Sequence, residues 1–311
     1  MSLQALILAG GQSSRMGSRK ELLRFTDNSS ALYLHLARAM KIACPELDLI
    51  HLSLKDLSAR SNILQASRKQ AENAHVHVHV YSGQLFNNHP NTDSSRDGGA
   101  DVISHPSSDC DNCDDEDGKG ININIRFLYD EPVVENTLPT SSHPAPQTVG
   151  NDRKRKPYYG IGPAAGLLAA HNTDPSATWL VVACDFPLLT PRTVRCLQEQ
   201  HYSNNIGNTS SRQPLLTCYH NAHGHYEPLL AIWTPEALRM LDGNVKQGRT
   251  GPRFVIEELR SKGPGALRVL VPQEELWLFN ANTIEEWREA VRLFEKGKER
   301  RGAGEENVRR N

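Results

Sequence analysis

The residues best suited to chemistry stand near the N-terminus, where Leu8-Ala-Gly-Gly-Gln-Ser-Ser-Arg-Met-Gly-Ser-Arg-Lys20 follows a short apolar run. Gly10 and Gly11 permit backbone turns closed to other residues and leave no side chain in a ligand's path. Successive amide N–H groups in such a turn form a nest for an anion. Arg15 and Lys20 add positive charge, the first as a planar fork and the second as a mobile point charge. The chemistry implied is phosphate binding. No Gly-x-x-x-x-Gly-Lys-Ser/Thr can be read here, so this is not a Walker A loop. A basic Gly/Ser turn without function would share the glycines, but not the full arrangement of strand, Gly-Gly, Ser, Arg-Met-Gly and Lys.

A second constellation is Ala183-Cys-Asp-Phe-Pro-Leu-Leu189, which follows the most continuously apolar segment of the chain, residues 178–183. An Asp at the carboxyl end of a central strand sits where open α/β sheets place their ligands. A carboxylate there suits Mg²⁺, a hard cation that takes one or two carboxylates together with phosphate oxygens. Asp185 could instead cap the helix that follows, but Thr190-Pro191 already supplies that start. Asp185 is therefore assigned as the metal ligand and Mg²⁺ as the cofactor.

The elements that must position these groups follow from periodicity. Residues 3–8 form a buried-type strand, and residues 31–43 repeat Leu32, Leu36, Met40 and Ala43 at helical spacing. Residues 48–54 form the next strand, completing a βαβ unit of a parallel sheet. Residues 57–74 read as a polar helix, while 75–81 and 121–129 alternate as strands. Further on come helices from 162, 190, 234, 252 and 283, and strands at 178–183, 227–233 and 267–271. Between them, residues 82–119 and 135–157 are rich in Asn, Asp, Ser, Pro and Thr and offer almost no apolar face, so they are expected to be disordered insertions. The expectation is one α/β domain over residues 1–296, with those two insertions and a charged flexible tail at 297–311.

Together, Leu-Ala-Gly-Gly-x-Ser-x-Arg-Met-Gly-x-x-Lys resembles the signature of the molybdenum cofactor guanylyltransferases and their wider nucleotidyltransferase superfamily. The resemblance implies a three-layer α/β/α sandwich on a mostly parallel, Rossmann-like sheet of the nucleotide-diphospho-sugar transferase type. It also implies that Leu8, Ala9, Gly10, Gly11, Ser13 and Lys20 bind the nucleotide, with Lys20, Arg15 and Asp185 as catalytic residues. Gly10-Gly11 resembles the guanylyltransferase form, which points to GTP as donor. Four later segments fall in the family's order. Asp130 matches the Asp that helps hold the nucleotide, and Gly162 and Pro163 fall in a glycine segment that lines base and ribose. Asn280 and Asn282, within Phe279-Asn-Ala-Asn-Thr283, would approach the metal–phosphate region, and Thr283 is suited to cap the last helix. Glu227-Pro228 stands where the family usually carries His-Pro, on the acceptor side.

The activity so implied is transfer of GMP from GTP to the phosphate of the molybdopterin cofactor, with release of pyrophosphate. Alternatives are CTP as donor to molybdopterin, a sugar-1-phosphate acceptor, or a nucleotide-binding regulatory protein without turnover. The chain departs from the family pattern at Thr26-Asp-Asn-Ser-Ser30, where an Asp-Gly hairpin is usual, at Ala165 in place of Leu, and in the insertions. These bear on the acceptor more than on the nucleotide.

Composition narrows the partners. The 311 residues are 38% hydrophobic and 23% charged with net charge −1, so nothing global points to nucleic acid or a membrane surface. The N-terminus has no signal-like pattern and the six cysteines no scaffold spacing, so a cytoplasmic location is expected. Gly160-x-Gly162-x-x-Ala165 has the form of a dinucleotide fingerprint but lacks the buried strand before it. The alternating His75, His77 and His79, the Cys110/Cys113 pair and the basic run Arg153-Lys-Arg-Lys156 read as solvated features rather than sites.

Overall fold

Ala5, Leu6 and Ile7 have no exposed surface, because β1 (Leu3–Leu8) lies inside the sheet with helices on both of its faces. In this computed structural model the described residues are 2–9, 16–27, 29–55, 60–65, 76–81, 101–103, 121–129, 161–203, 213–263 and 265–309. β1 pairs in parallel with β2 (Ile50–Leu54) on one side and with β6 (Thr178–Ala183) on the other, so Leu8 stands opposite both Ser53 and Ala183. Strands covered on both faces read as unbroken apolar runs, which is why the Thr178–Ala183 segment shows no alternation.

The remaining strands are β3 (Val76–Tyr81), β4 (Asp101–Ile103), β5 (Ile121–Tyr129), β7 (Leu216–His220), β8 (Tyr226–Trp233) and β9 (Leu267–Leu270). They complete one nine-stranded sheet in the order β4-β3-β5-β2-β1-β6-β8-β7-β9. Pairing is parallel from β3 through β6 and between β7 and β9, and antiparallel at β3–β4, β6–β8 and β7–β8. The β7–β8 register shifts between Cys218 and Tyr219, beside Pro228, which has no N–H to give to a ladder.

Side-chain alternation along β1 separates two cores. Ala5 and Ile7 pack with α1 (Leu32–Ala43), α3 (Pro191–Tyr202) and α6 (Ile284–Arg309). Leu6, with Trp179 and Val181 of β6, packs with α2 (Pro163–Thr173), α4 (Pro235–Lys246) and α5 (Arg253–Ser261). The result is the expected three-layer α/β/α sandwich on a mostly parallel sheet. The helix starts obey simple capping rules: Thr190 and Thr234 accept from the N–H groups of Thr193 and Ala237, and each is followed by proline.

Three segments differ from the sequence expectation. β7 has no expected counterpart; its residues Leu216–Tyr219 are all buried, so neither face carries the polar positions that mark an alternating strand. Within the 82–119 segment, Asp101–Ile103 forms a short edge strand around Val102 and Ile103, and the rest of that segment lies outside the described residues, as does 135–157. α6 runs on to Arg309, through the stretch expected as a flexible tail; no proline interrupts it. Only residues 60–65 of the expected helix at 57–74 are described, and they are helical.

Candidate active site

Parallel pairing of β1 with β6 brings the segments after both strands to one edge of the sheet. Cys184 donates its N–H to the Leu8 carbonyl at 3.1 Å, and Ala9 donates to Ser53 at 3.0 Å, so the strand ends are tied together just where the first loop departs. Gly10, Gly11, Ser13 and Arg15 lie outside the described residues; the chain is described again from Met16, which is buried.

A short 3-10 turn, Lys20–Leu22, then aims two side chains in different directions. Lys20 reaches across to Asp185, with Nζ donating to Oδ1 at 2.6 Å, and also donates to the Asn282 amide oxygen at 2.8 Å. Glu21 turns inward to 1% exposure and accepts from Arg19 Nε at 2.5 Å. The Lys20 side chain is 14% exposed and that of Asp185 35%, so the pair is shielded on the lysine side and open on the carboxylate side. Next to it, burial first and then the charges of Glu21 and Asp185 hold the Cys184 thiol well above its ordinary pKa.

The third segment of the site comes from the far end of the chain. Ala281 N–H donates to the Asp185 carbonyl at 2.9 Å, which lays residues 280–282 alongside the segment after β6. Asn282 Nδ2 donates to Asn280 Oδ1 at 2.8 Å, orienting the Asn282 oxygen toward Lys20. Thr283 does cap α6, accepting from Glu286 N–H at 3.2 Å. In return Glu286 Oε2 accepts from the N–H groups of Asn282 at 2.6 Å and Thr283 at 2.9 Å. Those backbone donors, led by Asn282, keep the Glu286 carboxyl below its ordinary pKa.

Glu227 lies on β8, the other neighbour of β6. Glu227 stands three residues before Leu230, the last β8 residue paired with β6, and lies near enough to Asp185 for the two charges to interact. Asn221 donates to Glu227 Oε1 at 3.1 Å. Desolvation first, and the Asp185 charge in the same sense, raise the Glu227 pKa, with Asn221 and His225 opposing.

Gly162 and Pro163 start α2, with Gly162 at φ 64°, a conformation that favours glycine. Asp130 lies outside the described residues, immediately after β5. So Lys20, Asp185, Asn280 and Asn282 are brought together, Glu227 on β8 feels the Asp185 charge, and Leu8 and Ala9 are tied by backbone bonds to Cys184 and Ser53. Sequence reasoning passed over Glu286, legible as the fourth member of Thr283-x-x-Glu286, and took Gly166 only as the end of the glycine segment, without its packing role: an added Cβ there would lie 2.5 Å from both Leu8 Cδ2 and Ser53 Oγ. The Cys110/Cys113 pair and residues 153–156 lie outside the described residues, and among the described residues no group of three or more His, Cys, Asp and Glu could hold a metal ion.

A lysine bonded to an aspartate just past the carboxyl end of a central parallel strand stands where open α/β sheets bind their ligands, and suits an anionic ligand such as a nucleotide. Residues 5–81 and 133–263 match the family model described as the MobA-like NTP transferase domain, and the chain belongs to that family of nucleotidyltransferases. A curated relative from Synechocystis, "Molybdenum cofactor biosynthesis bifunctional protein", is 35% identical over 82 residues, which is 26% of this chain and 21% of that protein. Two solved structures share the fold. One is molybdopterin-guanine dinucleotide biosynthesis protein A from Archaeoglobus fulgidus, with TM-score 0.50 at 15% identity, covering 94% of this chain and 99% of that one. The other is a nucleotidyl transferase from Methanothermobacter, with TM-score 0.51 at 13% identity, covering 95% and 99%. Among the described residues no helix is long and apolar enough to cross a membrane.

Proposed function

We propose that this protein is a Mg²⁺-dependent guanylyltransferase that moves GMP from GTP to the terminal phosphate of a molybdopterin-type acceptor. The observation that carries the reading is the convergence of Lys20, Asp185 and Asn282 at the carboxyl ends of β1 and β6. The choice of GTP rests on the Gly10-Gly11 pair, and the choice of acceptor on the family resemblance and the name of the Synechocystis relative. A cytoplasmic location is part of the same reading.

An oxygen of the acceptor phosphate attacks the α-phosphorus of GTP in line, a new P–O bond forms, and the bond to the β-phosphate oxygen breaks with its electron pair leaving on pyrophosphate. The residues present fit Mg²⁺: Asp185 is a partly exposed carboxylate with amide oxygens of Asn280 and Asn282 beside it, a hard oxygen set. When bound at Asp185, Mg²⁺ would neutralise phosphate charge. Lys20, already desolvated and oriented by two acceptors, presents an ammonium to the reacting phosphates, where a fixed charge acts most strongly. The remaining contribution is positioning. Acceptor phosphate is ionised at neutral pH, so no general base is required.

The test is pyrophosphate release by the purified chain, with molybdopterin and each nucleoside triphosphate in turn. GTP-dependent release that Asp185→Ala abolishes is expected. Turnover with CTP or with a sugar-1-phosphate would reassign donor or acceptor, and tight GTP binding without turnover would make the protein a regulator.

A further inference from the structure

We infer that Glu286, on the C-terminal helix, is a positioning residue of this active site, acting through Asn282 on Lys20. The inference rests on the proposed role of Lys20 and extends it to a part of the chain that the family match does not reach. The matched residues stop at 263, yet Asn280, Asn282 and Glu286 all lie beyond that point.

A Thr-x-x-Glu capping box ordinarily serves its own helix: the threonine accepts one N–H and the glutamate reaches back to another. Here the glutamate accepts two. Glu286 Oε2 takes the N–H of Thr283, as a capping box requires, and also that of Asn282, at the shorter distance of 2.6 Å. Asn282 is the residue whose side-chain oxygen receives Lys20. Its backbone is held by Glu286 and its amide NH₂ by Asn280, so the oxygen has one direction left, toward the lysine.

The same helix grips the other side of the lysine segment. Phe25, five residues after Lys20, stacks on Phe294 with ring centroids 4.0 Å apart and on Trp287 at 5.2 Å. Both rings belong to α6, so the helix that fixes Asn282 also anchors the chain leaving Lys20. A charge-assisted bond from Glu286 at the junction is well placed to set lysine geometry rather than helix stability alone.

The experiment compares Glu286→Ala, Asn282→Ala and the double variant, with Glu286→Gln as the conservative replacement. Thr234→Ala serves as a control that weakens a helix cap remote from the site. Two readouts are taken: kcat and KM for GTP in the pyrophosphate assay, and the rate of Lys20 acylation by an amine-reactive ester, mapped by peptide mass spectrometry. Glu286→Ala is expected to lower kcat about tenfold, the scale of one charge-assisted hydrogen bond, with KM within about threefold. Lys20 acylation rises in Glu286→Ala and Asn282→Ala alike, and the double variant is no worse than Asn282→Ala. Glu286→Gln, whose amide oxygen still accepts, keeps both values near wild type, and Thr234→Ala changes neither. Multiplying effects in the double variant, or unchanged Lys20 acylation in Glu286→Ala, would overturn the inference. If the wild-type chain turns over no substrate, the functional reading falls, and acylation alone decides the role of Glu286. Should Glu286→Ala fail to fold, Glu286→Asp, whose shorter side chain falls short of the Asn282 N–H, takes its place: lowered kcat with raised Lys20 acylation supports the inference, and wild-type values of both overturn it.

Discussion

Gly166→Ala is a severe test of how the wall of the site is built, because it adds one methyl group at a point with almost no room. The added carbon would stand 2.5 Å from Leu8 Cδ2 and from Ser53 Oγ, and 3.2 Å from Ser53 Cβ. The Leu8 methyl and the Ser53 hydroxyl can turn away, but Ser53 Cβ is fixed to the β2 backbone in a residue only 1% exposed. Replacing a helical glycine by alanine gains up to about 1 kcal/mol in propensity, whereas overpacking a tight core costs roughly 1–3 kcal/mol. The net expectation is a loss of about 1–2 kcal/mol, seen as a Tm lower by roughly 2–4 °C for a chain of this size. Gly243 supplies the matched control. It lies inside α4, and a Cβ added there meets nothing within 4 Å, so Gly243→Ala should stabilise by roughly 0.5–1 kcal/mol. Urea and thermal unfolding of the two variants side by side measure the difference. Leu8 also holds the Cys184 N–H, so Gly166→Ala should weaken nucleotide binding and Gly243→Ala should not. If Gly166→Ala is as stable as Gly243→Ala, the close contact of α2 with β1 and β2 does not limit the packing, and the reasoning fails.

Lys20→Ala should lower turnover by at least about 100-fold, the scale for losing one preorganised charge partner of a transition state, and near-normal kcat would remove Lys20 from the mechanism. Chelation by EDTA should stop turnover and excess Mg²⁺ restore it in the wild type but not in Asp185→Ala; activity that persists in EDTA would refute the metal assignment. His51, buried beside Trp179, has its pKa lowered from 6.5 to about 4, by burial first and by Arg126 second. The unfolded chain therefore takes up the proton first, so this stability is intact above pH 6.5 and lost as pH falls toward 4. That amounts to roughly 2–3 kcal/mol between pH 7.5 and 4.5, and His51→Leu should flatten the urea-derived stability curve by that amount. An equally steep curve in the variant would show that His51 does not carry the acid sensitivity. His201, lowered to about 4 by burial and then by Arg268, continues to contribute in both proteins.

Much of the frame around the site was legible because the decisive elements obey simple patterns. The Thr178–Ala183 run reads as a strand buried on both faces, and that reading already places Asp185 at the carboxyl end of a central strand. The phosphate chemistry expected of Leu8–Lys20 rests on residue types alone, and residues 10–15 lie outside the described residues. β7 was hidden because its five residues, Leu-Thr-Cys-Tyr-His, form neither an unbroken apolar run like β6 nor a clear alternation. Gly166 was hidden differently, since the lack of room that demands glycine comes from Leu8 and Ser53, far away in sequence.

What no local pattern could give is the meeting of Lys20, Asp185 and Asn282, which are 165 and 262 positions from the lysine. The first contact follows once β1 and β6 are known to be neighbours in register, with Leu8 opposite Ala183, because the segments leaving both strands must then share one edge. The second needs the chain to return after β9, and it depends on the backbone bond from Ala281 to Asp185 and on the double acceptance by Glu286. A capping box is readable from four residues, but its extra reach to Asn282 is not, because the same Thr-x-x-Glu would form at a helix start with no site beside it. Asn280 and Asn282 were expected near the metal–phosphate region through the family resemblance, whereas Glu286 looks, in sequence, like ordinary helix punctuation, and it lies outside the residues that carry the family match. Its involvement emerges only when the bonds are traced from the lysine outward.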